Sequence, residues 1–235
     1  MHDEAPEIII HMQDETLRAL ALSGFYLCAL SGVRSADGAG RPAAWLQTRG
    51  YALRTHVRPP ASWHAFTWAR TPPLVEGVRV EPGFHVPARP GETLVAALPG
   101  GGEMREQGAP RAVSLLNTTA VQLTCGLACL VDGEMVPVYA APLYGGCLQV
   151  IAPVPVVFLF VSMHPMPPGT LVSSSTGPGV LLRLDSGAGW ELHFDINEGW
   201  SWGDGVQATR VQAQSDLVRL LVEYPAPDRP NAGVG

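Results

Sequence analysis

The chain reads as an all-β protein, an antiparallel β-sandwich of jelly-roll type with little helix, and three observations lead there. The first is residues 156–161, Val-Val-Phe-Leu-Phe-Val. This run is too short to span a bilayer and too rich in β-branched and aromatic side chains for a comfortable helix, so a buried central strand is expected. The second is the Asp132-Gly133 pair between strand-like runs at 126–131 and 134–139. That dipeptide tolerates the positive φ angles of a tight hairpin turn. The third is the even scatter of 26 glycines and 22 prolines, which implies many turns between short elements and no long unstructured tract. With 235 residues and 46% hydrophobic content, one core is affordable, and a single domain over 1–224 with a flexible tail at 225–235 is expected.

Taken in order, residues 8–12 suit a short strand. Asp14-Glu15-Thr16 caps a brief helix through Leu22 that stops at Gly24. Residues 25–30 look like strand and 31–42 like an exposed loop, after which 44–57 and 63–68 resume strand character. In the last of these, Trp63, Ala65 and Thr67 share one face and His64, Phe66 and Trp68 the other. Residues 78–98 read as strand, turn, strand, and 112–116 and 120–124 as further strands. Around the central run, Pro153 and Pro155 remove backbone donors on one side, and Pro165, Pro167 and Pro168 close it on the other. Beyond lie 170–173, 180–184, 190–194, 206–211 and 217–224, strand candidates at the spacing of an antiparallel sandwich or barrel; 217–221 also suits one or two helical turns.

The Pro82-Gly83 pair that leads through His85 to Glu92 and on to a strand ending in glycine resembles the first motif of the cupins. The positions of that family's histidine pair fall near Ala88 and Pro90, which cannot ligate a metal. What the resemblance implies is therefore a jelly-roll-like hairpin, with no metal site or activity carried over.

Composition excludes several chemistries. Every basic side chain is Arg, so a phosphate-loop lysine, a Schiff-base lysine and a lysine general base are all ruled out. The net charge of −6 argues against a general polyanion binder. Ten of the fifteen arginines lie between Arg34 and Arg111 against six acids, but they stand singly among apolar and turn residues, so solvated strand faces are expected and nucleic acid is not. Cys28, Cys125, Cys129 and Cys147 are too few for a disulfide scaffold and read as buried thiols, with a bridge from Cys147 to Cys125 or Cys129 left open. Asp3, Glu4 and Glu7 stand where a secretory signal carries positive charge, and no membrane-spanning run is present. A cytoplasmic setting is expected, or secretion without a recognisable signal peptide. Asn117-Thr118-Thr119 matches the glycosylation acceptor pattern, and without an export signal it reads as chance.

The densest cluster of aromatic, acidic and turn residues runs from Trp190 to Gly205. Its expected use is non-enzymatic recognition of a glycan or other polar small ligand, with no cofactor and no metal, in a chain that could form a homo-oligomer. Trp190, Trp200 and Trp202 supply flat apolar area for sugar rings, and Asp195, Asn197 and Asp204 orient hydroxyls. The competing structural reading has the indoles covering the end of the sandwich and Asp195 and Asn197 forming a turn. Gly199-Trp-Ser201-Trp-Gly203 matches the serine-hydrolase elbow formally, but the last histidine, His193, precedes it and an Asp-Gly pair follows, so hydrolysis is not expected. Asp195-Ile-Asn197-Glu-Gly199 starts like a calcium loop and then lacks its sixth-position glycine. Two alternatives stand beside the recognition reading. One is a degenerate cupin-like metal enzyme or isomerase that gathers His56, His64, His85 and Glu92; the other is an assembly or membrane-active β protein that exposes residues 154–166.

Overall fold

In the computed structural model, residues 7–35, 38–98, 100–184 and 189–223 are described; the expected tail at 225–235 lies outside them. The chain opens with β1 (Ile8–His11) and α1 (Asp14–Ser23), which ends as predicted at Gly24 in the left-handed conformation, φ 69°. There follow β2 (Tyr26–Ser35), β3 (Arg41–Pro42), β4 (Leu46–Thr48), β5 (Arg54–Val57) and β6 (Trp63–Trp68). Next come β7 (Phe84–Ala88), β8 (Thr93–Leu98), β9 (Gly101–Arg105) and β10 (Val113–Asn117). The hairpin is β11 (Leu123–Val131) and β12 (Glu134–Leu143), and the central strand is β13 (Leu148–Ser162). The chain closes with β14 (Gly179–Arg183), β15 (Trp190–Asp195), β16 (Gly199–Trp202), β17 (Ala208–Val211), α2 (Leu217–Leu221) and β18 (Val222–Glu223).

These strands form three sheets. One runs β16-β15-β1-β5, one runs β3-β12-β11-β6-β7, and the largest runs β17-β14-β13-β10-β8-β9, with β2 also paired to β13 and carrying β4 and β18. All three contribute to one continuous core, to which Ile8, Ile10 and Leu192 come from the first sheet, Leu123 and Leu127 from the second, and Leu94, Leu115 and Leu159 from the third. Strand β13 shows why residues 156–161 are apolar throughout. Val157, Leu159 and Val161 face this core, while Val156, Phe158 and Phe160 face a second cluster with Cys28, Leu30, Leu217 and Leu221. A strand covered on both faces has no polar side to alternate with, and each such side chain contributes about 1.5–3 kcal/mol of burial. The two prolines leave their mark as well, since the β13–β2 register shifts between Pro153 and Val157. At the hairpin, Asp132 (φ 49°) and Gly133 (φ 85°) both take the positive φ that the two-residue turn requires, and Val131 pairs with Glu134.

The all-β sandwich stands, and several of its details differ from the sequence reading. Residues 31–35 are strand, because β2 continues along β13 until Ser35 meets Ile151. Residues 44–57 divide into β4 and β5, and 170–173 make only isolated bridges, Leu171 to Ala43 and Thr170 to Arg79. Of the two readings of 217–221 the helical one holds, with the Asp216 side chain accepting the Arg219 N–H at 3.0 Å as an N-cap. The hairpin expected within 78–98 does not form: β7 pairs with β6 in one sheet, and β8 pairs with β9 and β10 in another. Three pairings are parallel, β1 with β15, β8 with β10 and β2 with β18, and the strand orders do not establish jelly-roll connectivity. Among the described residues no helix is long and apolar enough to cross a membrane.

No disulfide joins the four cysteines. Cys28, Cys125 and Cys129 are buried and Cys147 is exposed, and burial pushes the Cys28 and Cys129 thiols up to about 12. Of the four, only Cys147 is open to solvent and to reagents. The native protein is expected to react with a chromogenic disulfide reagent at one site, Cys147, and the urea-unfolded chain at all four. Rapid modification of Cys28 or Cys129 under native conditions would contradict this packing. Asn117 is also buried, and its Nδ2 donates to the carbonyls of Val121 (2.7 Å) and Leu143 (3.1 Å), so the amide of the acceptor pattern is committed to holding a loop.

Candidate functional site

Strand β15 alternates strictly, and this decides what its hairpin with β16 can present. Trp190, Leu192 and Phe194 point into the core; Glu191 and His193 are exposed on the outer face. On β16, Trp200 lies opposite Phe194 and Trp202 opposite Leu192, while Ser201 pairs with His193. The predicted residues are thus brought together on one hairpin but in different environments. Trp190 is 7% exposed, and its Nε1–H donates to the Arg183 carbonyl at 3.1 Å. Trp200 is 2% exposed, with its ring 4.8 Å from that of Phe194 and its Nε1–H donating to the Pro178 carbonyl at 3.3 Å. Both indoles are walls. Trp202 is half-buried, and the Arg210 guanidinium lies 5.9 Å from its ring centroid, in cation–π range.

The turn between β15 and β16 is built around Asp195. Its Oδ1 accepts the backbone N–H groups of Asn197 (2.8 Å) and Glu198 (3.1 Å), and its Oδ2 accepts the Thr16 hydroxyl at 3.1 Å. Thr16 Oγ1 in turn accepts the Ile196 N–H at 3.3 Å, so the first turn of α1 clamps a hairpin some 180 residues away. The two backbone donors, helped by the Thr16 hydroxyl, hold the Asp195 carboxyl below the usual aspartate range. This is a turn-forming carboxylate. Asn197 and Asp204 are exposed, the first on this turn and the second just beyond β16.

Three depressions meet at the hairpin. A cleft of about 400 Å³ between the edges of β16 and β17 has a floor that includes Phe25, Val161, Phe194 and Trp200 and a rim of Asn197, Glu198, Arg210 and Gln212. A polar groove of about 450 Å³ on the outer face contains His11, Gln13, His193, Asp195, Glu198 and Ser201. There the His11 and His193 rings stack at 4.9 Å, which follows from their parallel pairing, and His11 Nε2 lies 3.5 Å from a Glu191 carboxylate oxygen. A third, of about 410 Å³, is lined by Ser201, Trp202, Ala208, Thr209 and Arg210. Arg210 links the first and third, anchored by donation from its Nε to the Trp200 carbonyl at 2.8 Å. Sequence reasoning missed Arg210, which reaches the hairpin from another sheet, the His11–His193 pair, which the parallel pairing of β1 with β15 creates, and the rim position of Glu198 on the turn that Asp195 organises. The one local signal was the outward alternation of His193 with Glu191.

The other chemistries considered find no assembled site. Ser201 lies on an edge strand followed by a turn, without the helix a nucleophile elbow needs. His64 and His85 meet edge to face at 5.8 Å, but His56 pairs with Glu7 at 3.3 Å and Glu92 accepts the Arg89 N–H at 2.7 Å. Desolvation, with the His85 charge adding to it, lowers the pKa of His64. Among the described residues no group of three or more His, Cys, Asp or Glu side chains could hold a metal ion. The geometry defines an all-β sandwich with an open, partly aromatic cleft where the edges of two sheets meet. Comparison with protein-family models, with curated proteins and with solved structures finds no match to this chain.

Proposed function

We propose that the protein is a non-enzymatic recognition module that holds a polar small ligand, a glycan in the first instance, along the β15–β16 hairpin. The observation that carries this reading is the convergence of three depressions on one hairpin, joined through Glu198, Ser201 and Arg210. A sugar ring has an apolar face and a hydroxyl edge, and the sheet-edge cleft pairs an apolar floor with carboxylate, amide and guanidinium groups at its rim. Contiguous depressions suit successive units of an oligosaccharide. Trp202 is the stacking surface, its ring packed against the core and flanked by Arg210, while the exposed side chains of Asn197 and Asp204 orient hydroxyls and the Asp195 carboxylate is taken up by the turn. Trp200 acts from behind as part of the floor of the cleft, and Trp190 packs in the core beneath the hairpin.

The test is a glycan panel read by calorimetry with the wild type and Trp202→Ala. A sugar bound by the wild type is expected to lose about tenfold or more in affinity, roughly 1.4 kcal/mol, in the variant while the melting temperature stays close to wild type. Equal affinity in both proteins, or no glycan bound at all, refutes the reading.

A further inference from the structure

Arg210 is an anchored cation with an unanswered charge, and it stands where two depressions of the hairpin meet. Its Nε donates to the Trp200 carbonyl at 2.8 Å, and no carboxylate among the described residues lies within ion-pair distance of it. Arg58 and Arg105 differ, each being neutralised by a glutamate, Glu7 at 2.9 Å and Glu103 at 2.6 Å. A carbonyl fixes a guanidinium without cancelling its charge, and the two terminal amino groups keep the fork geometry that matches a carboxylate. Arg210 is exposed, so that fork is open to a ligand. A cation already held in place also costs a ligand less to order.

We propose, building on the glycan reading of the hairpin and dependent on it, that the sugar unit held beside Trp202 is an acidic one, a hexuronate whose carboxylate is taken by the terminal amino groups of Arg210. The third depression, which Trp202 also lines, has Arg210 as its one charged lining residue. The guanidinium carbon lies 5.9 Å from the Trp202 ring centroid, whereas Arg49 covers the Tyr26 ring at 4.1 Å. Arg210 therefore neighbours the indole without closing it off. The carboxylate of a hexuronate is carried on a carbon outside the sugar ring, so a ring stacked on Trp202 projects its charge towards such a neighbour. Two carboxylates oppose an anion here, Glu198 at the rim of the adjoining cleft and Asp204 just beyond β16; both are exposed and screened by solvent. The chain as a whole carries a net charge of −6, so a preference for an anionic sugar has to come from a local cation.

The test is calorimetry of the full chain with trisaccharides of glucuronate, galacturonate and mannuronate, each matched to its neutral counterpart built from glucose, galactose or mannose. At least one acidic trisaccharide is expected to bind about tenfold tighter than its neutral match at low salt, a preference that shrinks towards unity as sodium chloride approaches about 1 M. Arg210→Gln is expected to bind the two members of the pair alike, and to melt close to the wild type because the side chain is exposed. Neutral trisaccharides that bind as tightly as the acidic ones overturn the inference and leave the glycan reading standing. So does a preference that survives in Arg210→Gln, or an Arg210→Gln that weakens the neutral trisaccharide as much as the acidic one, since Arg210 would then shape the cleft without reading charge. Binding of no trisaccharide, acidic or neutral, overturns both.

Discussion

Gly126→Ala is expected to cost upward of about 3 kcal/mol of stability, or to prevent folding altogether. A Cβ at this position would lie 1.9 Å from the Tyr139 carbonyl oxygen and 2.8 Å from Cε1 of Phe66. The first of these is backbone, so it cannot rotate away. Gly126 sits mid-ladder in β11, opposite Ala140 on β12 and Phe66 on β6, one residue before the register shift at Leu127 and Ala128. The close approach of β12 and the seating of the Phe66 ring both depend on the missing side chain. Relief would require β11 and β12 to part at the centre of their sheet, with loss of ladder hydrogen bonds and of the core contacts beneath. Urea unfolding measures the effect directly, and Gly101→Ala is the control, since a Cβ there meets nothing within 4 Å and should change stability by no more than about 0.5 kcal/mol. Equal midpoints for the two variants would mean that the β11–β12 register is not the one described.

Trp200→Ala carries the second large effect, about 3–5 kcal/mol, and its direction matters for function as much as its size. The indole is among the largest fully buried side chains, packs on Phe194 and satisfies the Pro178 carbonyl. Truncation opens a cavity under the hairpin, leaves that carbonyl without its donor and frees the edge strand that carries Arg210 through the Trp200 carbonyl. The melting temperature is expected to fall by more than ten degrees, roughly, for a chain of this size. Trp202→Ala, on the same strand and two residues away, should melt close to the wild type because its ring is half-buried at the periphery. A loss of ligand binding in Trp200→Ala therefore reports on folding, whereas the same loss in Trp202→Ala reports on contact. If Trp200→Ala melted with the wild type, the packing of the hairpin onto the core would be in error.

Local features of the chain were read correctly where a short stretch of residues contains its own physical reason. The Asp132-Gly133 turn, the β-branched and aromatic run of β13, the helix stopped by Gly24 and the alternation of β15 each depend on φ preferences or on side-chain periodicity within a few residues. Elsewhere local preference was overridden. Residues 31–35 look like loop because Gly32 breaks the pattern, yet a glycine is what that strand needs, since a Cβ there would lie 2.7 Å from Val154 on β13. Residues 217–221, which suit either a strand or one or two helical turns, settle as helix with Leu217 and Leu221 packed in the cluster on the outer face of β13.

The candidate site divides along the same line. That aromatic, acidic and turn residues concentrate between Trp190 and Gly205 is a property of the sequence, as are the absence of lysine chemistry and the failure of the hydrolase and calcium patterns. Which indoles are open is not. Trp200 and Trp202 are equivalent in sequence, and they share one face of β16. They differ because one lies over Phe194 inside the core and the other at the sheet's edge beside Arg210. Likewise Asp195 becomes a turn carboxylate through Thr16, and Arg210 enters the cleft through strand β17. Periodicity and turn chemistry act over a few residues and are written in the chain. Exposure and contacts between distant elements are set by segments up to 180 residues apart, and exist only once the sheets have closed on their common core.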